Sequence, residues 1–176
     1  MNPLRLPRMA LVWAAAVYSA GAMPADIAAI NCVLALPAQI ETNDPLPLKM
    51  TLSNTGKRPL HVLNWHTPFE GFFSRYLKVT GPHGELTYAG ALVKRGVPQR
   101  DEYISIAPGK SVTASANLRD VYKLDVVGTY RIEYIGQLAD VNTDAIPRRL
   151  EQHTAMRLTC NTLTVQVIAA GSPAAK

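Results

Sequence analysis

Cysteine is nearly missing from this 176-residue chain, which has only Cys32 and Cys160. Two thiols cannot build a structural zinc site by themselves. No charge sign dominates either: 18 Lys and Arg stand against 13 Asp and Glu, a formal +5. That balance allows weak attraction to acidic partners but does not mark a nucleic-acid binder, so no nucleic acid is expected. Long apolar runs are lacking. The longest, Met9 to Tyr18, is about half of the roughly 20 residues a spanning helix needs, so stable membrane insertion is not expected. Helical periodicity is lacking as well. So are the compact signatures of catalysis: H-E-x-x-H, the G-x-S-x-G elbow, the P-loop, and G-x-G-x-x-G opening a helix. Thirteen scattered acids show no paired carboxylates of the kind glycoside hydrolysis requires. The chain therefore reads as non-catalytic, with no cofactor.

What is present begins with an export signal. Arg5 and Arg8 precede the apolar run, and Ala20-Gly21-Ala22 supplies a small-x-small cleavage pattern. Residues 1–22 are expected to be a signal peptide, with cleavage near Ala22 delivering the chain to the periplasm or outside the cell. Cleavage leaves 154 residues and, with two arginines gone, a formal +3. Both cysteines survive it. In an oxidising compartment they are expected to form a disulfide from the start of the domain to its last strand. Closing so long a loop stabilises by about 4 to 5 kcal/mol in the chain-entropy picture.

Period-two alternation fills the rest. Strands are expected over 31–36, 48–53, 60–65, 76–80, 86–89, 103–107, 112–118, 128–134 and 162–167, with one helical turn over 120–124. Asn54-Thr55-Gly56, Gly81-Pro82-His83-Gly84 and Pro108-Gly109 are turn signals between them. Eight or nine short strands so spaced indicate an all-β, immunoglobulin-like antiparallel sandwich over 23–170, followed by a flexible tail at 171–176. Tyr130 is placed for a tyrosine corner, its hydroxyl held by upstream backbone. Residues 137–158 are long for a hairpin and leave room for a short helix, an extra strand pair or a mobile segment.

Two stretches stand out as candidate partner-binding loops. Trp65-His66-Thr67-Pro68-Phe69 gathers aromatic rings beside a loop-making proline. Rings on loops serve as binding anchors, although they serve equally as plugs of a small core. Lys94-Arg95-Gly96 puts two cations between apolar residues on a loop ended by Pro98. The four histidines carry a weaker signal. His61 and His66 are five apart, which points them to opposite faces of a continuous strand, so no metal site is assigned.

Taken in order, several pieces resemble the N-terminal propeptide domain of aspzincin, or deuterolysin-like, zinc endopeptidases. They are Asn54-Thr55-Gly56 and Leu63-x-Trp65-His66-Thr67-Pro68-x-x-Gly71, then Tyr88-x-Gly90-x-Leu92-Val93-Lys94-Arg95-Gly96-x-Pro98. Tyr103-Ile104-x-Ile106-Ala107-Pro108-Gly109-x-Ser111 and Tyr122-x-Leu124, followed by Gly128-x-Tyr130-x-Ile132-x-Tyr134, complete the set. The resemblance covers residues 46–136 well and the last strand loosely. In that family the domain precedes a protease bearing H-E-x-x-H, which this sequence lacks. The resemblance implies a free-standing prodomain that inhibits a zinc endopeptidase of the aspzincin type or assists its folding. Lys94 or Arg95 would enter an acidic subsite, and Trp65 and Phe69 would supply anchor area. Two other readings stay open: a generic immunoglobulin-like envelope-binding module, and a small periplasmic metal-binding protein using His61, His66 or His153.

Overall fold

Alternating apolar residues give this chain its strands, and most of the strands form two facing sheets. The computed structural model describes residues 29–143, 145–146, 153 and 155–171. The stretch 1–22 that is expected to be a signal peptide, most of 144–154 and nearly all of the 171–176 tail lie outside the described residues.

The first sheet has β3 (Pro47–Asn54) in the centre, with β1 (Ile30–Ala35) and β8 (Ser111–Asn117) antiparallel on either side. Leu48, Met50 and Leu52 of β3 are fully buried, while Lys49, Thr51 and Ser53 point away. The second sheet runs β2 (Gln39–Glu41), β13 (Leu163–Ile168), β9 (Gly128–Tyr134), β5 (Leu77–Gly81) and β6 (Gly84–Glu85). Val79, Tyr130, Ile132, Val165 and Val167 project from it into one core with the β3 leucines and with Cys32 and Leu34. Strands β3 and β8 beside each other, facing the β5–β9–β13 run, reproduce the B–E and C–F–G neighbours of an immunoglobulin-like sandwich.

A third sheet adds to the same core, through Leu60, Val62, Ile106 and Val141. It joins β4 (Leu60–Leu63), β7 (Tyr103–Ile106) and β11 (Val141–Thr143). A two-residue pairing of β10 (Gln137–Leu138) with β12 (Met156–Arg157) also falls in the 137–158 stretch, so that stretch does carry extra strand pairing.

Two expected features fasten the sandwich. The Tyr130 hydroxyl donates to the Val126 carbonyl at 2.8 Å, four residues upstream, which is the tyrosine corner. Cys32 and Cys160 form a disulfide across 128 residues of chain. Next to it the Asn161 side chain accepts from the Leu34 N–H (2.7 Å) and donates to the Leu34 carbonyl (3.0 Å). One amide thus stands in for a backbone partner on the outer edge of β1. Gly128 opens β9 at φ +145, a backbone conformation that suits glycine, and a Cβ there would lie 2.5 Å from Pro82.

Three expectations are corrected. The strand expected over 86–89 is absent; β6 ends at Glu85. Leu86 still donates to Val79, but the Ala89 N–H turns to the Val121 carbonyl, and the Tyr88 hydroxyl donates to Phe72 and Ala91 carbonyls. These bonds pull the chain off the sheet. The helical turn expected over 120–124 is a 3-10 turn at Leu118–Asp120. It starts earlier because the Asn117 side chain caps it, accepting from the Arg119 N–H. The strand expected to reach Trp65 stops at Leu63, because the Thr67 hydroxyl takes the Asn64 carbonyl at 2.5 Å and begins a turn.

Candidate partner-binding loops

The candidate site is built from two loops, 64–75, which follows β4, and 86–102, which leads into β7. Within the first, the Glu70 N–H donates to Thr67 and the Gly71 N–H donates to Pro68, which winds residues 67–71 into tight turns. His66 sits at φ +62, unusual for a residue with a side chain. Its strained backbone is held from both sides. The His66 N–H donates to Glu70 Oε1 at 2.7 Å, and the Tyr134 hydroxyl donates to the His66 carbonyl at 3.1 Å.

Glu70 joins the two loops. Its side chain is only 6% exposed, and its Oε2 receives Arg95 Nη2 at 2.5 Å. The Arg95 guanidinium also lies 5.0 Å from the centre of the Trp65 ring, within cation–π reach. Trp65 in turn donates through Nε1 to Glu102 Oε1 (2.8 Å), and the other Glu102 oxygen accepts from the Gln99 N–H (2.6 Å). A chain of contacts therefore runs from Glu70 through Arg95 and Trp65 to Glu102, closing the base of the 86–102 loop. Burial pushes the Glu70 carboxyl up, against the opposing pull of the His66 N–H and the Arg95 charge. Burial first and the Arg95 charge second push the His66 imidazole down. Its Nδ1 lies 2.9 Å from the Ser74 hydroxyl.

The structure divides the predicted residues into two groups. Trp65, Thr67 and Pro68 are buried and form the floor. Phe69 is half-buried and packs against the main core. Arg95 is braced to Glu70. Lys94 and Gly96 are exposed, and with them Leu92 (75% exposed), Val93 and Val97. The tip that faces outward is thus Leu92-Val93-Lys94 and Gly96-Val97, on either side of Arg95, which lies over the buried Trp65. Pro98 is buried at its exit. The Val93 N–H donates to the carbonyl of Phe73, a residue itself 46% exposed.

Glu70 and Glu102 carry the geometry, and sequence reasoning marks neither. Glu70 sits in the aromatic-rich run, but nothing local pairs it with Arg95. Glu102 is 37 residues from Trp65 and has no sequence signal. The histidines do not converge. His61 bonds Ser105 across β4–β7, His66 bonds Ser74, and His153 meets the Trp65 ring edge-on at 6.0 Å. Among the described residues no three His, Cys, Asp or Glu side chains come together as a metal set. Among them, too, no helix is long and apolar enough to cross a membrane. Chemically, the site offers a supported apolar tip with an exposed lysine, suited to recognition of a surface or cleft.

No family model matches the chain. An extracellular protease of Aeromonas hydrophila is 29% identical over 121 residues, covering 68% of this chain and 34% of that protein. The chain thus spans about a third of the length of that relative. A CARDB domain from Pyrococcus furiosus, solved with di-metal ions, matches 80% of this chain and 93% of its own at 13% identity and a TM-score of 0.35. Escherichia coli alpha-2-macroglobulin, from domain MG7 to its C-terminus, matches 80% of this chain and 17% of its own at 15% identity and a TM-score of 0.39. The sandwich assignment rests on this chain's own strand order and its tyrosine corner.

Proposed function

We propose that this protein is an exported, non-catalytic partner of an extracellular zinc endopeptidase of the aspzincin type, inhibiting it or assisting its folding. The observation that carries the reading is the 121-residue likeness to about a third of an extracellular protease. The disulfide fits an oxidising destination. The loop geometry supplies the means. Lys94 is displayed on a tip whose neighbours Arg95 and Pro98 are tied down. A braced tip loses little conformational freedom on binding, so more of its contact energy is kept. In this reading Lys94 enters an acidic subsite, Leu92, Val93 and Val97 give the apolar contact, and Arg95 is the strut.

The test is a titration of the purified protein against an aspzincin endopeptidase, by activity and by recovery of the enzyme from denaturant. Wild type is expected to inhibit or to raise the recovery, and Lys94→Ala to weaken the effect at least tenfold. Neither effect from the wild type, or an undiminished effect in Lys94→Ala, would sink the proposal.

A further inference from the structure

We infer that the Lys94–Arg95 peptide bond is a cleavage site for a lysine-directed endopeptidase, and that the clipped protein stays folded as a two-chain molecule. Residues 86–99 belong to no strand or helix. Within 91–98 the one backbone–backbone hydrogen bond among the described residues is Val93 N–H to Phe73. A protease must draw an extended stretch of chain into its cleft, and stretches with few backbone bonds open at least cost.

The other lysines of the folded part are sited differently. Lys49 and Lys78 are within β3 and β5. Lys57 lies in a turn cross-braced by Asn54, whose side chain donates to the Arg58 carbonyl and accepts from the Gly56 N–H. Lys110 is pinned on both sides, its N–H to Ala107 and its carbonyl to the Asn54 N–H. Lys123 directly succeeds Val121 and Tyr122, whose N–H groups are both held by the Leu118 carbonyl.

The topology decides the fate of the clipped chain. Hydrolysis adds one water, leaving a carboxylate on Lys94 and an amine on Arg95. The first fragment then owns β1 to β6 and the second β7 to β13. Strand pairs β3–β8, β4–β7, β5–β9 and β2–β13 all cross the cut. The Cys32–Cys160 disulfide crosses it as well. Arg95, the new amino terminus, stays tied to Glu70 and over Trp65. That same tie resists opening of the intact loop, so Glu70 sets the rate of clipping. Clipping would also end the presentation of Lys94 on a braced tip. This consequence rests on the proposed function; the cut itself does not.

The experiment treats the folded, disulfide-bonded protein with a lysine-specific endopeptidase and tracks it by electrophoresis with and without reductant. One band is expected without reductant and two with it, the new fragment beginning at Arg95. Lys94→Arg should remove this cut. Glu70→Gln should be cut at the same bond at least tenfold faster, because proteolysis tracks the opened population. A first cut at another lysine would overturn the inference. So would fragments that part without reductant, persistence of the cut in Lys94→Arg, or equal rates for Glu70→Gln and wild type. An aspzincin enzyme is not needed, so this outcome is independent of the proposed binding.

Discussion

The sandwich body and its loop end are held together by different means. The body is a field of buried residues, mostly Leu, Ile and Val, clasped by one disulfide and one tyrosine corner. The loop end has a small core of its own, Leu63, Trp65, Tyr103 and Ala139, surrounded by individual polar bonds. There the Tyr103 hydroxyl donates to buried Asp140 (2.8 Å), and Glu70, Arg95 and Glu102 fix the loops one bond at a time. The body should therefore tolerate apolar exchange of similar volume, whereas the loop end should respond sharply to loss of one charged partner. The largest test falls on the body. Replacing both Cys32 and Cys160 by Ser should cost about 3 to 5 kcal/mol in urea unfolding, given the length of the closed loop. A loss below about 1 kcal/mol would mean that apolar burial alone secures the two sheets.

The next test falls on the loop end. Glu70→Ala leaves the Arg95 guanidinium, only 21% exposed in the side chain, without its carboxylate, and frees the His66 N–H. Glu70 is nearly buried while Arg95 still meets solvent, which places the pair between the exposed and fully buried cases, so the cost should be about 1 to 3 kcal/mol. Lys94→Ala, one residue from the strut, should stay within about 0.5 kcal/mol of wild type. Equal losses at Lys94 and Glu70 would erase the division between displayed cation and brace. Tyr130→Phe should cost about 1 kcal/mol, since it removes one hydroxyl bond and keeps the buried ring.

The same contrast governs what could be read from the sequence. Strands such as β3, β8, β9 and β13 were legible within one or two residues, because alternation is local and each strand's pattern points to its own core face. The disulfide was legible from two cysteines in a chain expected to be exported. β2 was not foreseen; its three residues pair in parallel with β13, a contact set by the far end of the chain. At the loop end the sequence marked Trp65 to Phe69 and Lys94 to Gly96 as notable, but it could not say which residues face outward. That depends on Glu70 meeting Arg95 across 25 residues and on Glu102 meeting Trp65 across 37. Such pairings leave no periodic trace.

The smallest expected effect is also the one that separates the regions by pH. Burial and the Arg95 charge hold the His66 imidazole below its ordinary value of 6.5. The folded state then binds fewer protons than the unfolded one in the window just below pH 6.5, and stability falls as pH drops through it. Glu70 acts in the opposite sense. Its carboxyl is held above its ordinary 4.5, so acidification through the window above 4.5 favours the folded state. A wild-type curve alone mixes the two, and the difference from a His66 variant isolates the histidine. His66→Asn suits this purpose because asparagine tolerates φ +62. From pH 7 to pH 5 the variant should gain stability relative to wild type, by less than about 1 kcal/mol given the partial exposure of the ring. A difference that stays flat or changes sign would show that His66 is solvated in the folded protein. The Glu70–Arg95 brace would then lack the dry surroundings that distinguish the loop end from an ordinary surface turn.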